Sequence, residues 1–487
     1  FVERRLKELH PLPEGQKVDT ADHPNGAYLM LKAFLSTWDD IMKLQPALIQ
    51  FNDQQRTLMP TTEDLKGALS AIIRLQRVFS LPTEEMYAGN YSGHVGPPLQ
   101  PMDAYEVARR GFSDSEPQLS VSWLQLALRK GSSGVGPDIS GMTSAGQMAS
   151  TGMTTTEKAS VLGLLGRAYL YAGETEKAAQ IYGENKALVP ASGDLQTLEQ
   201  ELAEAARQPK RAMEQPYMDN TTLMCNRDKN HTVAELRPYH KCRYKPSLWI
   251  PYITYKEEIL SLSPYASLFY EVIYDNEMNA LKEFVSGKLT RGQVELHDAE
   301  AKQHVSSTRT SDLGWITDSE SPIAARLSAR VEDITWLDTE QRLPAGPFSG
   351  EAFQVVNYGL GGHYVAHWDP VKHPLAIELK QSGTRIATFL YYLSDVEKGG
   401  NTAFVNAGIS VAPVKGMALF WYNYNPAMDL EELTLHTGCP VLKGHKWIAN
   451  KWIWTYGNTF RRPCGPSPKT TQLQLERIIY NSIHGKR

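Results

Sequence analysis

The residues best equipped for chemistry lie in the C-terminal third of the chain. His367-Trp-Asp369 sets an imidazole and a carboxylate two positions apart, and in an extended strand side chains two apart share a face. An H-x-D pair alone is weak, but His436, beyond a further strand and turn, can supply a third ligand. Two imidazoles and one carboxylate on one face form the facial triad that holds non-haem Fe(II) and leaves coordination positions open. Further on, Lys446-Trp-Ile-Ala-Asn-Lys-Trp452 alternates so that Lys446, Ile448, Asn450 and Trp452 share a face. A lysine fixed beside a metal can pair with the distal carboxylate of a dicarboxylate cosubstrate. The expected chemistry is therefore metal-dependent oxidation.

Short aromatic strands must carry these groups. Gly-marked turns separate Phe353–Tyr358, His363–Asp369, Arg385–Leu393, Met417–Tyr424 and Lys446–Tyr456, which indicates an antiparallel barrel or jelly roll. The rest of the chain reads differently. Tyr28–Trp38 and Leu65–Leu75 carry apolar residues at helical spacing, and Thr61 and Thr62 before Glu63 and Asp64 mark a helix start. In 100–206, Leu162, Leu165, Gly166, Tyr169, Ala178, Tyr182 and Pro190 follow the tetratricopeptide pattern, with Asn185 where Ala is usual. A weaker helix pair precedes it near Asp103–Gly111 and Gln118–Lys130, and the Gly-, Ser-, Thr- and Met-rich stretch 131–156 reads as a flexible insert. Pro, Asn and Lys replace helical periodicity across 207–250.

Composition bounds the possibilities. The 487 residues suggest roughly three domains at about 150 residues each. Fifty Lys and Arg against 54 Asp and Glu give a net charge of −4, which argues against a nucleic-acid binder or a polybasic membrane-surface protein. No apolar run approaches the length of a membrane span. The chain opens at Phe1, so any signal peptide is expected to be removed or to lie outside this sequence. Four cysteines, Cys225, Cys242, Cys439 and Cys464, include no C-x-x-C pair and allow three pairings. With the sequons at Asn90, Asn220 and Asn230, they lean towards the secretory pathway.

Taken together, Phe353-Gln-Val-Val-Asn-Tyr-Gly-Leu-Gly-Gly-His-Tyr-Val-Ala-His-Trp-Asp369, Arg385–Val396 with Gly399-Gly400, and His436–Trp452 followed by Phe460-Arg-Arg-Pro-Cys464 resemble the collagen prolyl 4-hydroxylase alpha subunit. The similarity covers nearly the whole chain, and order, spacing and cysteine positions agree. It implies an α+β multidomain protein: an N-terminal helical dimerisation arm (1–90), a tetratricopeptide-like peptide-binding domain (100–206), a cysteine-bearing linker (207–250) and a double-stranded β-helix (jelly-roll) catalytic domain (251–487). His367, Asp369 and His436 would bind Fe(II), and Lys446 would hold the 5-carboxylate of 2-oxoglutarate. Tyr358, Thr388 and Trp452 would line the cosubstrate pocket, while His363 and His445 would not be ligands. O2 and 2-oxoglutarate would be consumed, giving succinate, CO2 and 4-hydroxyproline in a peptide, with L-ascorbate keeping the iron reduced. The resemblance further implies disulfides Cys225–Cys242 and Cys439–Cys464. It also implies an endoplasmic reticulum location and an alpha2-beta2 tetramer with protein disulfide isomerase.

The chain departs from the family in ways that bear on substrate. Leu164, Arg167, Thr197 and Gln200 stand where groove tyrosines are expected, and Tyr169 and Tyr171 are displaced along the helix. Proline stacking needs flat aromatic faces, so 4-hydroxylase chemistry is expected with a diverged substrate, such as a Pro-poor or acidic peptide. Trp368 and Pro370 also differ from the usual neighbours of the aspartate. The competing readings are an oxygenase acting on another residue and a catalytically silent peptide-binding or assembly subunit. Lysyl hydroxylases generally use arginine at the Lys446 position, and the intact triad counts against silence.

Overall fold

The computed structural model describes residues 20–44, 59–132, 152–207, 220–226, 241–250, 252–292, 309–340, 349–370, 382–467, 469–483 and 485. The chain divides into two compact units, Phe1–Asp219 and Asn220–Arg487.

Among the described residues of the first unit, the regular elements are helices apart from a small hairpin, β1 (Asn90–Tyr91) with β2 (His94–Val95). Its helices span Pro24–Leu44, Thr62–Phe79, Thr83–Tyr87, Pro101–Ser113, Pro117–Ser132, Thr155–Tyr171, Thr175–Glu184 and Gly193–Arg207. Thr61 and Asp64 form a capping box where the sequence predicts a helix start, and Thr154 and Glu157 form another. Helices before residue 90 pack against helices after residue 100. Tyr28 and Lys32 donate to Asp103 at 3.1 and 2.5 Å, Trp123 Nε1 donates to Gln76 Oε1 at 2.7 Å, and Arg77 pairs with Glu116 at 2.7 Å. Gly163 and Gly166 let the Thr155–Tyr171 and Gly193–Arg207 helices approach closely. A Cβ at Gly163 would lie 2.5 Å from Leu195 N, and one at Gly166 would lie 2.2 Å from Leu198 Cδ2. Most of the insert expected at 131–156 lies outside the described residues.

The second unit mixes helices and antiparallel sheet. Its strands are β3 (Lys241–Pro246), β4 (Thr254–Leu262), β5 (Tyr265–Tyr270), β6 (Thr290–Arg291), β7 (Arg309–Thr310), β8 (Asp312–Ile316), β9 (Phe353–Tyr358), β10 (His363–His367), β11 (Arg385–Tyr392), β12 (Lys398–Gly399), β13 (Thr402–Phe404), β14 (Ile409–Val411), β15 (Ala418–Tyr422), β16 (His436–Gly438), β17 (Val441–Lys443) and β18 (Lys446–Trp454). Nine strands form one sheet in the order β3-β4-β5-β15-β11-β18-β9-β8-β6. Five form a second, β14-β13-β16-β10-β7, and β12 pairs with β17. The period of two in the long central strands builds two cores. Ala387, Phe389 and Tyr391 of β11 face a core shared with Leu281 and Leu327, which lie on the helices Asp275–Ser286 and Pro322–Thr335. Leu390 and Tyr392 face the opposite way, into a core with Phe404, Ile409, Trp421 and Ile448. The functional groups open from this second layer.

Two expectations need correction. The segment 207–250 is not simply a linker: β3 pairs with β4 at the sheet's edge. Its Arg243 and Lys245 bind Glu476 of the C-terminal helix Gln472–Ile483 at 2.7 and 2.9 Å. The disulfide is Cys225–Cys439, in place of Cys225–Cys242 and Cys439–Cys464. The helix Asn220–Cys225 lies beside β13 and β14, where Ser410 Oγ donates to Met224 O at 3.0 Å. Cys439 N donates to Asn401 O in the same neighbourhood at 2.8 Å, and the two Cα atoms are 5.4 Å apart. Cys242 and Cys464 are free and exposed. Of the sequons, Asn90 sits half-buried on β1 and Asn220 is exposed, while Asn230 lies outside the described residues. No helix among the described residues is long and apolar enough to cross a membrane.

Candidate metal centre and active-site cavity

His367 ends β10 and His436 begins β16, and the two are direct cross-strand partners. Antiparallel pairing thus brings together two imidazoles distant in sequence, with ring centroids 4.3 Å apart. The chain leaves the strand after His367, yet Asp369 returns its carboxylate to the same spot: Oδ1 is 3.7 Å from His367 Nε2 and Oδ2 is 3.8 Å from His436 Nε2. Their ligand atoms all lie within 4.8 Å of one another.

The surroundings suit a metal. Each histidine directs Nδ1 at the carbonyl two residues earlier, His367 to Val365 O and His436 to Thr434 O, both at 2.9 Å. With Nδ1–H donating there, Nε2 keeps its lone pair for an ion. Burial and the neighbouring His436 push the His367 imidazolium down to about 3, so the ring is the neutral form a metal requires. Burial alone would raise the Asp369 carboxyl, but the two imidazoles, the Thr388 hydroxyl and Arg385 hold it below its ordinary value. Thr388 Oγ1 donates to Asp369 Oδ2 at 2.6 Å. Two neutral nitrogens and a carboxylate, with no fourth protein ligand among the described residues, match an open facial site.

A cavity that opens to solvent lies beside the cluster, with about 400 Å³ of empty space counting its open mouth. Lys446 opens β18 opposite Tyr358 of β9 and is 2% exposed. Its Nζ donates to Thr402 Oγ1 at 3.2 Å and lies 5.6 Å from the centre of the Tyr358 ring. Burial lowers the ammonium to about 7. Tyr358, Thr388, Ile448, Asn450 and Trp452 all line the same cavity, as the alternation of β18 predicts. Thr388 reaches the two-histidine, one-aspartate cluster directly, through Asp369. His363 and His445 lie outside the cluster.

Sequence reasoning missed several lining residues. Thr402 follows the Gly399-Gly400 turn and also accepts from the Tyr392 hydroxyl at 2.9 Å. Tyr364 stacks on His367 at 3.7 Å, three positions before it in the quoted motif. Arg309 and Gln354, from β7 and β9, carry no motif signal, because only strand register brings them here.

Residues 353–454 match the 2OG-Fe(II) oxygenase superfamily model, and residues 2–93 match that of the prolyl 4-hydroxylase alpha-subunit N-terminal region. The chain is 33% identical over 477 residues to prolyl 4-hydroxylase subunit alpha-2 of Caenorhabditis elegans, covering 91% of this chain and 82% of that one. It is 30% identical over 476 residues to subunit alpha-1 of Gallus gallus, covering 91% and 87%. Subunit alpha-2 of Gallus gallus is 29% identical over 474 residues, covering 91% and 84%. Likeness of this extent, spanning both the N-terminal region and the cavity-bearing sheets, places the chain in the prolyl 4-hydroxylase alpha-subunit family, within the class of 2-oxoglutarate- and Fe(II)-dependent dioxygenases.

Proposed function

We propose that this chain 4-hydroxylates proline in peptides of secretory-pathway proteins, with His367, Asp369 and His436 holding Fe(II) and Lys446 receiving the distal carboxylate of 2-oxoglutarate. The observation that carries the reading is the opening of the two-histidine, one-aspartate cluster and a buried lysine into one cavity. Bound iron with 2-oxoglutarate and O2 supplies the oxidation of an unactivated C–H bond. The chain's own residues bind and orient. The two backbone carbonyls fix the imidazole tautomers, Thr388 fixes the carboxylate, and Thr402 with Tyr392 steadies the lysine. Lys446 sits among Tyr358, Tyr392 and Ile448, where little water competes with its ion pair. The half-exposed Trp315, 6.1 Å from Trp452, extends the aromatic wall outward.

The finer architecture belongs to the same reading: a double-stranded β-helix catalytic unit, a tetratricopeptide-like peptide-binding region at 100–206, and an N-terminal dimerisation arm. The reading extends to an endoplasmic reticulum location, glycosylation at an accessible sequon, ascorbate as the reductant, and protein disulfide isomerase as beta subunit of an alpha2-beta2 tetramer. The substrate has diverged from collagen-like sequence. Arg167 is supported as the key departure: it pairs with Asp194 at 3.1 Å and Glu201 at 3.2 Å and lies over Phe112, while Tyr171 donates to Glu201 at 3.1 Å. Rings and carboxylates engaged with one another are poorly placed to stack on prolines.

The test is co-expression with disulfide isomerase, followed by Fe(II)-dependent succinate release with and without Pro-Pro-Gly peptides. A 16-dalton gain on proline in a turned-over peptide is the expected product. An iron-loaded, assembled complex that releases no succinate overturns the reading.

A further inference from the structure

We propose that the cavity holds a second polar subsite, centred on Arg309, that binds a carboxylate of the peptide, so that the preferred substrate carries an acidic residue beside its target proline. This rests on the reading that the chain hydroxylates peptidyl proline.

Arg309 is 7% exposed and lines the cavity. Its guanidinium lies over Tyr364, 4.8 Å from the ring centre, and Nη2 donates to Gln354 Oε1 at 2.8 Å. Nε is buried with no acceptor, and no carboxylate among the described residues pairs with the guanidinium. Arg385 makes the contrast: Glu351 neutralises it through two bonds, at 2.5 and 2.9 Å. A buried cation without a counter-ion is costly, and that cost is recovered when an anion arrives. Two further cavity-lining atoms are buried without partners, Trp452 Nε1 and Asn450 Oδ1. Asn450 lies opposite Gln354 in the β18–β9 pairing, while Arg309 comes from the other sheet, so the subsite bridges the two sheets. Arg309 Nε–H and Trp452 Nε1–H are both free to donate, and a carboxylate accepts at both oxygens.

The cosubstrate does not account for this subsite. Lys446 and Asn450 are four residues apart on β18, about 13 Å at strand rise, and Arg309 reaches between their partners on β9, bonding Gln354 opposite Asn450 and the Tyr358 hydroxyl opposite Lys446. With Lys446 serving the distal carboxylate and the metal the other end, Arg309 remains as the cation facing the peptide.

The experiment uses the full chain assembled with its partner and loaded with Fe(II) and 2-oxoglutarate. Paired peptides carry Glu or its neutral isostere Gln immediately before, or immediately after, a single proline. The wild-type enzyme is expected to show a KM about tenfold lower for the Glu peptide in one of the two positions, with the same ratio in anaerobic binding titrations, where no turnover occurs. R309M is expected to abolish the ratio and leave the KM for 2-oxoglutarate unchanged, and R309K to restore part of it. Wild-type enzyme that treats Glu and Gln peptides alike overturns the inference, even if R309M fails to fold. A rise in the 2-oxoglutarate KM with the peptide ratio intact also overturns it, by assigning Arg309 to the cosubstrate. In both of those outcomes proline hydroxylation stands. Succinate release without hydroxylation or binding of any peptide overturns the broader reading, and this inference with it.

Discussion

The hydroxyl of Thr388 gives the sharpest test of how the proposed metal site is held. Thr388 is 1% exposed, donates to Asp369 Oδ2 at 2.6 Å and accepts from Asn423 Nδ2 at 3.2 Å. Asn423 also donates to Arg385 O at 3.2 Å, so its amide keeps a partner when the hydroxyl is removed. Thr388→Val keeps the shape and deletes the hydrogen bond to the carboxylate. A hydrogen bond to a charged group contributes about 1.5–3 kcal/mol, which is roughly 10- to 150-fold in an equilibrium constant. Loss of groups that orient metal ligands typically costs about 10–100-fold in affinity, so two independent estimates agree. The assay is anaerobic calorimetric titration of Fe(II) into the metal-free enzyme. Thr388→Val should bind iron at least tenfold more weakly, and Thr388→Ser, which keeps the hydroxyl, should recover most of the loss. Wild-type affinity in Thr388→Val would refute the orienting role. Equal weakening in both variants would show that the methyl group's packing, and not the hydroxyl, supports the site.

Other consequences follow from burial and pairing. Lys446, lowered to about 7 in the free enzyme, is charged below that pH and neutral above it. The Kd for 2-oxoglutarate, measured anaerobically, should therefore be flat in acid and rise about tenfold per pH unit above 7, and Lys446→Met should flatten the curve at weak binding. Lys451 is fully buried, with Asp318 at 3.6 Å, and burial lowers it to about 8. Its folded value lies below the unfolded one, so it destabilises the fold fully below pH 8, and that penalty fades between pH 8 and 10.5. Lys451→Met should raise the melting temperature at pH 7 and lose its advantage near pH 10; an unchanged difference across that range refutes the argument. Non-reducing peptide mapping should recover a Cys225–Cys439 cross-link with Cys242 and Cys464 alkylated, whereas Cys225–Cys242 or Cys439–Cys464 fragments would contradict the structure.

What could be read from the chain alone follows from how far each feature depends on register. His367, Asp369, His436 and Lys446 were legible because their chemical types are scarce; His367, His436 and Lys446 sit at the start or end of a strand, and Asp369 follows two residues after His367. The helix start at Thr61 was legible, since capping is decided within four residues, whereas the start at Thr154 falls in the stretch read as a flexible insert. Arg309, Gln354 and Thr402 were not legible. Their place in the cavity depends on β7 pairing with β10, β9 with β18, and β13 with β16, which no local pattern states. The disulfide failed for a related reason. The pairing implied by the resemblance joins Cys225 with Cys242, but the short helix ending at Cys225 docks on β13 and β14, and Cys242 is carried away on the edge strand β3.

The same dependence on register explains why the cluster can be both open and well placed. Its two histidines face each other across β10 and β16, the central strands of the five-stranded sheet, and Phe404 of β13 lies opposite His436 on the other side. Asp369 alone leaves the regular pairing, and its hydrogen bond comes from Thr388 in the nine-stranded sheet. One sheet therefore supplies the imidazoles, and the other fixes the carboxylate. Relative movement of the two sheets would change the distances from Asp369 to both imidazoles together. The apolar layer between them, from Leu390 and Ile448 to Phe404 and Trp421, thus sets the geometry of the His367–Asp369–His436 cluster as well as forming part of the core.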